Sequence, residues 1–229
     1  MFMRKTATLL ALLAAATGAQ AARPLITDDA RLTDAGACQI ETWLHIHRSQ
    51  RELWALPACN PGGNFELTVG GGLAYADGHR ESSARVIQGK TLFKPLETNG
   101  YGIGLAAGYA RQPGSDTAGN PYFYVPVSVS LADDRLVIHS NLGYTRERED
   151  KENRLTWGIG TEAQLTAHTW LIAESYVQDR GSPFFQVGVR HWLLPGHVQI
   201  DTTYGSQIGQ IGAQNWISIG LRLISPTWF

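Results

Sequence analysis

The sequence predicts an all-β chain closed into an antiparallel transmembrane β-barrel of about twelve strands. Three observations carry this expectation: a glycine-rich and weakly charged composition, period-two alternation along most of the chain, and aromatic residues gathered at strand ends. Of 229 residues, 25 are glycine and only 17% are charged, against roughly 25% charged in ordinary globular chains. A net charge of −1 offers no basic face, which argues against a nucleic-acid partner. Hydrophobic residues at 43% argue against disorder. No apolar run in the body of the chain approaches the ~20 residues that a membrane helix needs.

The first segment sets the compartment. Arg4 and Lys5 precede an apolar stretch from Leu9 to Ala16, followed by Ala19-Gln20-Ala21. This is the basic n-region, short h-region and small-x-small cleavage site of a secretory signal. Residues 1–21 are therefore expected to be a signal peptide, and residues 22–229 the barrel domain. Cys38 and Cys59 then enter an oxidising space, and they flank what reads as one hairpin. A disulfide is the expected state, because a zinc pair would lack histidine at ligand spacing.

Turn signals cut the rest at intervals near ten residues. The expected strands are 39–48, 51–58, 64–76, 83–94, 101–112, 122–132, 135–146, 154–166, 169–178, 184–193, 197–205 and 215–223. Alternation is clearest where Phe65, Leu67, Val69, Leu73 and Tyr75 interleave with Glu66, Thr68, Gly70, Gly72 and Ala74. The connections differ in kind. Those at 77–81, 113–121, 146–154, 179–181 and 206–214 are longer or more charged; those at 60–63, 132–134, 166–168 and 195–197 are compact. Longer extracellular loops, short periplasmic turns and an even strand number form the outer-membrane barrel pattern.

The aromatic positions separate this reading from a soluble sandwich. Tyr75, Tyr109, Tyr144 and Tyr204, with Phe123, Trp157 and Phe185, fall at the long-loop end. Phe65, Phe93 and Tyr101 mark the short-turn end. Amphipathic rings prefer the two bilayer interfaces, whereas a sandwich core has no reason to hold them at strand ends.

The stretch Arg23-Pro24-Leu25-Ile26-Thr27-Asp28-Asp29-Ala30, with Gln39-Ile40-Glu41 and Phe65-Glu66-Leu67, resembles the outer-membrane proteins grouped as the MetA-pathway phenol-degradation family. That resemblance implies an outer-membrane barrel passing hydrophobic or aromatic compounds, and it transfers no catalytic residue. Two features depart from it: the Cys38/Cys59 pair, and a tail in which Pro226 interrupts alternation before Phe229.

Taking the second face of each strand as inward places Glu41, His45, His47, Glu66, Lys90, His139, Glu162, Glu174, Arg190, Asp201 and Arg222 in the lumen. Two readings stay open there. One is a slightly acidic conduit that sorts solutes by charge and size. The other is a paired network that fills a narrow barrel, since an isolated buried charge is very costly. Gly102, Gly104, Ala106 and Gly108, facing Ser128 and Ser130, suggest an off-centre passage. His45 and His47 share a face but lack a third ligand, so no metal and no cofactor is expected.

A barrel lipid hydrolase would need Ser, His and an orienting Asn or Asp projecting together. Ser140, Ser175 and His191 are available on the outward face, but hairpin register holds Ser175 and His191 apart, and no Gly-x-Ser-x-Gly elbow occurs. A structural or adhesive barrel would use the charged loop at 146–152. The sequence thus leads to the expectation of a monomeric barrel in the outer membrane of a Gram-negative bacterium, not an enzyme. Its surroundings would be lipid, lipopolysaccharide and the barrel-assembly machinery, and its cargo a small hydrophobic or aromatic solute.

Overall fold

The computed structural model describes residues 25–76, 79–111, 119–148, 151–177, 181–212 and 214–227. The expected signal peptide at 1–21 and the terminal Trp228-Phe229 lie outside the described residues.

Twelve strands form in chain order. They are β1 (Cys38–His47), β2 (Gln50–Cys59), β3 (Glu66–Ala76), β4 (His79–Lys94), β5 (Tyr101–Arg111) and β6 (Asn120–Leu131). β7 (Leu136–Glu147), β8 (Glu152–Thr166), β9 (Thr169–Val177), β10 (Phe184–Leu194), β11 (Val198–Gln207) and β12 (Trp216–Ile224) complete the set. Each pairs antiparallel with its chain neighbours, and β1 pairs with β12, from Gln39 opposite Ile224 to His47 opposite Trp216. The sheet is a closed barrel with no edge. Closure is what a sheet requires in lipid, where no water can take up an unpaired N–H or C=O.

Strand bounds differ from the expected ones chiefly at the long-loop end. β4 begins at His79 rather than at 83, β6 at Asn120 rather than at 122, and β8 at Glu152 rather than at 154. Ala76 stands opposite His79, so pairing continues through residues that read as loop. Charged side chains do not end a strand that has risen into water; they only end its apolar face.

The outward face is a belt of Leu, Ile and Val, with Leu142, Leu155 and Ile159 all more than half exposed. Tyr75, Tyr109, Phe123, Trp157 and Tyr204 ring it at the long-loop end, and Phe65, Phe93 and Tyr101 at the other. At that second ring Lys94 Nζ sits 4.1 Å above the Tyr101 ring. So continuous an exposed apolar band is stable only against lipid. The fold is the transmembrane barrel that the alternation predicted, and among the described residues no helix is long and apolar enough to cross a membrane.

Cys38 and Cys59 face each other in the β1–β2 register and are bonded, with Cα atoms 4.0 Å apart. Beyond Ile224 the Ser225 N–H still donates to Cys38 O, and Pro226 falls outside the sheet. The proline therefore leaves the closing seam intact.

Two outcomes follow for the folded protein. Unheated samples should migrate faster than boiled ones in SDS gels, because every backbone bond of the barrel is internal; identical migration would contradict closure. Alkylation without reduction should leave both cysteines unmodified by mass, and a Cys38→Ser/Cys59→Ser variant should lose roughly 3 kcal/mol of unfolding free energy in the chain-entropy account.

Candidate functional site: an occupied lumen

Alternation that sends Leu and Ile to lipid sends the other side chains inward. The inner wall is polar and tightly closed: Glu162, Arg190, His139, Ser128, Ser130 and Gln199 are fully buried. The structure places Glu41, His45, Glu66, Lys90, His139, Glu162, Glu174, Arg190, Asp201 and Arg222 all on this face. It divides them among distinct environments.

The largest is not made by the wall alone. Residues 25–37 run without regular secondary structure inside the barrel, from mid-height down to the short-turn rim. Thr27, Asp29, Ala30 and Thr33 are each at most 3% exposed. Wall side chains hold this segment along its length. The Glu174 carboxylate of β9 accepts the Ile26 and Thr27 N–H groups, both at 2.8 Å. The Asn141 carboxamide of β7, assigned so that its oxygen accepts and its nitrogen donates, brackets the Asp28 peptide at 2.6 and 2.9 Å. Lys90 of β4 pairs with the Asp28 carboxylate at 2.9 Å and with Asp29 at 3.6 Å. Tyr124 Oη of β6 donates to the other Asp28 oxygen at 2.7 Å. Ser128 Oγ accepts the Ala30 N–H at 2.9 Å, and Glu66 of β3 accepts both Thr33 N–H and Thr33 Oγ1–H. At the rim Asn60 donates to Thr33 O and Gly63 O, while its oxygen accepts Gly63 N–H. Gly36, at φ 76°, makes the turn that delivers the chain to β1.

The off-centre passage expected beside Gly104 and Gly108 is therefore absent. Ala106 and Ser128 are fully buried, and Ala30 lies on Ser128. A Cβ on Gly104 would come within 2.6 Å of Thr91 O, and one on Gly108 within 2.8 Å of Tyr122 Oη. Gly104 and Gly108 are closed by their neighbouring strands, whereas Ser128, Gly158 and Gly160 make room for the chain's own N-terminal segment. Gly158 shows it most directly: a Cβ there would stand 2.4 Å from Thr27 Oγ1.

Beside the segment lies a buried relay. Ser128 Oγ is 2.8 Å from His139 Nδ1, and His139 Nε2 stands 3.6 Å from Glu162 Oε1. Arg190 donates to both Glu162 oxygens at 2.6 Å and lies 5.5 Å from the Trp170 ring centroid. The residue types suggest acyl-transfer chemistry, but Ser128 already accepts Ala30 N–H and Glu162 is held by Arg190. Ser175 donates to Phe184 O, and His191 Nδ1 meets Thr169 Oγ1 at the opposite end of β9. Of the remaining predicted wall residues, Arg222 reaches Gln39 and lies 3.6 Å from Glu41, while Asp201 stands opposite Arg190 in the β10–β11 register.

His45 belongs to an environment that the inward list of charges did not show. Its ring meets Trp216 at 5.5 Å, and Trp216 meets Phe184, which stacks on Tyr176 at 5.6 Å. Trp43 stacks on Trp54 at 5.5 Å, and Tyr122 lies parallel to Tyr124. The long-loop half of the lumen is thus lined with aromatic rings. Parity could have found them: Trp43 lies between Glu41 and His45, and Trp216 shares the face of Ser218 and Arg222.

Three spaces remain around the segment. A chamber of about 360 Å³ opens toward the long loops, lined by Tyr122, Tyr124, Tyr176, Val86 and Leu56, with Ile26 and Thr27 in its wall. A polar cavity of about 180 Å³ lies beside residues 25–33, among Lys90, Gln88, Glu41, Glu66 and Arg222. A third space, about 330 Å³, lies toward the short turns under residues 30–35.

The family model described as "Uncharacterised conserved protein UCP029691" matches residues 8–224. No curated protein matches the chain in sequence. Among solved structures, the barrel is similar to the KdgM porin at TM-score 0.60 and 10% identity, covering 81% of this chain and 98% of that one. It is similar to the KdgM porin in complex with disordered oligogalacturonate at TM-score 0.59, with the same identity and coverage. The NanC porin gives TM-score 0.55 at 8% identity over 82% of this chain and 98% of that one. At such identities the likeness is one of fold.

The buried ion pair generates a prediction of its own. Glu162→Ala should leave Arg190 buried and unpaired, and lower unfolding free energy by about 3–5 kcal/mol. Glu162→Leu combined with Arg190→Met should recover much of that loss in urea unfolding followed by SDS mobility. Equal losses in the two variants would show that the pair itself, not the orphaned charge, sets the cost.

Proposed function

The chain belongs to the uncharacterised family whose model spans it, and we propose that it is a narrow outer-membrane channel for small hydrophobic or aromatic compounds. The porin-like fold, the apolar belt and its two aromatic rings support the outer-membrane setting. Lipid and lipopolysaccharide then cover the belt, the short turns face the periplasm, and the barrel works as a monomer inserted by the barrel-assembly machinery.

The observation that carries the solute class is the ring-lined chamber at the long-loop end. Tyr122 and Tyr124, parallel on β6, and Tyr176 of β9 line about 360 Å³ with the aliphatic Val86 and Leu56, beside the polar Gln88, Asn141 and Glu147. That volume is near the lower limit of small-molecule sites. Planar faces with few convergent charges favour a compact aromatic over a sugar acid. Deeper in, carboxylates outnumber cations: Asp28, Asp29, Glu41, Glu66, Glu162, Glu174 and Asp201 against Arg31, Lys90, Arg190 and Arg222. A polyanion such as the oligogalacturonate held by the KdgM porin would meet net repulsion here.

Occupation of the lumen by residues 25–37 favours a second reading, a structural barrel with no transport. Uptake into proteoliposomes separates the two. A phenol-like solute should enter faster than a sugar of similar size and faster than its own carboxylated analogue. Tyr122→Ala/Tyr176→Ala should narrow the difference between phenol and sugar several-fold. If no solute enters faster than into empty liposomes, the channel reading fails and the structural barrel stands.

A further inference from the structure

We infer that residues 25–33 are a removable plug: they divide the lumen, and a solute can pass only when they leave their seat. The inference rests on the channel reading and adds the part that opens it.

Position comes first. Ile26 and Thr27 line the chamber toward the long loops, residues 25–33 line the middle cavity, and residues 30–35 cover the space toward the short turns. One extended segment therefore borders all three of these spaces, from the long-loop side to the short-turn side. Its anchors come from β3, β4, β6, β7 and β9, so it spans the bore rather than lying along one wall.

The manner of attachment makes it separable. Residues 25–37 take part in none of the strand pairings that close the barrel. Wall side chains make the contacts along 26–33, and backbone-to-backbone bonds appear only at the rim, where Gly36 N–H donates to Asn60 O and Asn60 N–H to Ala37 O. The segment can leave without breaking one bond of the sheet. The fit is also incomplete, since the buried Asp29 Oδ2 has no hydrogen-bond partner.

The wall left behind keeps partners. Glu66 stands opposite Lys90 in the β3–β4 register, so the two charges that hold Thr33 and Asp28 can pair with each other. Glu174 retains the Gln186 amide as a donor. Few groups are then stranded as buried, uncompensated charge, the outcome that would otherwise forbid the open state. The base stays fixed: the Asn60 backbone pairs with Gly36 and Ala37, and the Cys38–Cys59 bond holds the chain at the rim, so the segment swings and stays in reach of its seat.

Two variants test this in planar bilayers, with potassium chloride as the conducted salt. The first lacks residues 25–33. The second, Thr27→Cys/Gly160→Cys, locks the plug. A Cβ on Gly160 would lie 3.6 Å from Thr27 Cβ, within the span of a disulfide. Wild type with and without reductant controls for the native disulfide, and the gel shift on heating controls for folding.

The deletion should raise single-channel conductance several-fold over wild type. The oxidised lock should abolish phenol uptake, and reduction should restore it. Equal conductance of wild type and deletion, or equal uptake by oxidised and reduced lock, would overturn the plug while leaving a channel in place. If the folded deletion and wild type are both silent, the channel reading falls with it. Should the deletion fail to fold, the lock decides alone.

Discussion

The constraint on which everything else depends is the absence of water around the outside of the sheet. Each strand N–H and C=O at bilayer depth must find a partner within the protein, and only a closed ladder supplies one for all of them. Closure from β1 to β12 fixes the alternation. The face turned to lipid must be apolar, so polar and charged groups go inward. A barrel of twelve strands is narrow, and those groups cannot all remain in bulk water. The buried pairs Glu162–Arg190 and Lys90–Asp28 are the consequence, and so is the recruitment of residues 25–37 to satisfy what the wall leaves open.

How much of this is legible in the sequence depends on the range of the interactions. Strands, girdles and the disulfide are local or nearly local. Period two within about ten residues identifies a strand, a tyrosine at its end marks an interface, and Cys38 and Cys59 lie at the ends of one hairpin. The inward residues also follow from parity alone, since register cannot slip by one without turning every Leu to the lumen. The lumenal segment obeys no period. Thr33 meets Glu66 across 33 residues, Ala30 meets Ser128 across 98, and Thr27 meets Glu174 across 147. The stretch from Leu25 to Ala30 stands out as a motif, but nothing within it says that its partners are an acid, an amide, a lysine and two hydroxyls on distant strands. The supposed passage failed for a related reason. Gly104 is closed by Thr91 and Leu92 of β4, and the small Ser128 does mark a wall without bulk, which can receive a peptide as readily as a solute.

The two halves of the lumen differ in chemistry. Toward the long loops, rings from β1, β2, β6, β9, β10 and β12 present flat, weakly polar faces. Below them, the Ser128–His139–Glu162–Arg190 chain and the Lys90 cluster are engaged with one another and with the segment. A small neutral aromatic can lie against the rings without demanding a charge partner. A charged solute must lose its own hydration and also compete for groups that are already paired. In the proposed channel, discrimination by desolvation would therefore come before any steric sieve.

The same economy of pairing bears on rigidity. Glu66 and Glu174 each accept more than one hydrogen bond from the segment, and Lys90 meets two consecutive aspartates. These contacts fix the inner wall of β3, β4 and β9, although the segment adds nothing to the ladder. A barrel whose sheet is complete without its core can exchange that core for water or solute, because the hydrogen bonds that close it are independent of the side-chain contacts that fill it. In a soluble domain the core and the fold are the same interaction. Here the lipid supports the fold from outside, and the interior is left free to do something else.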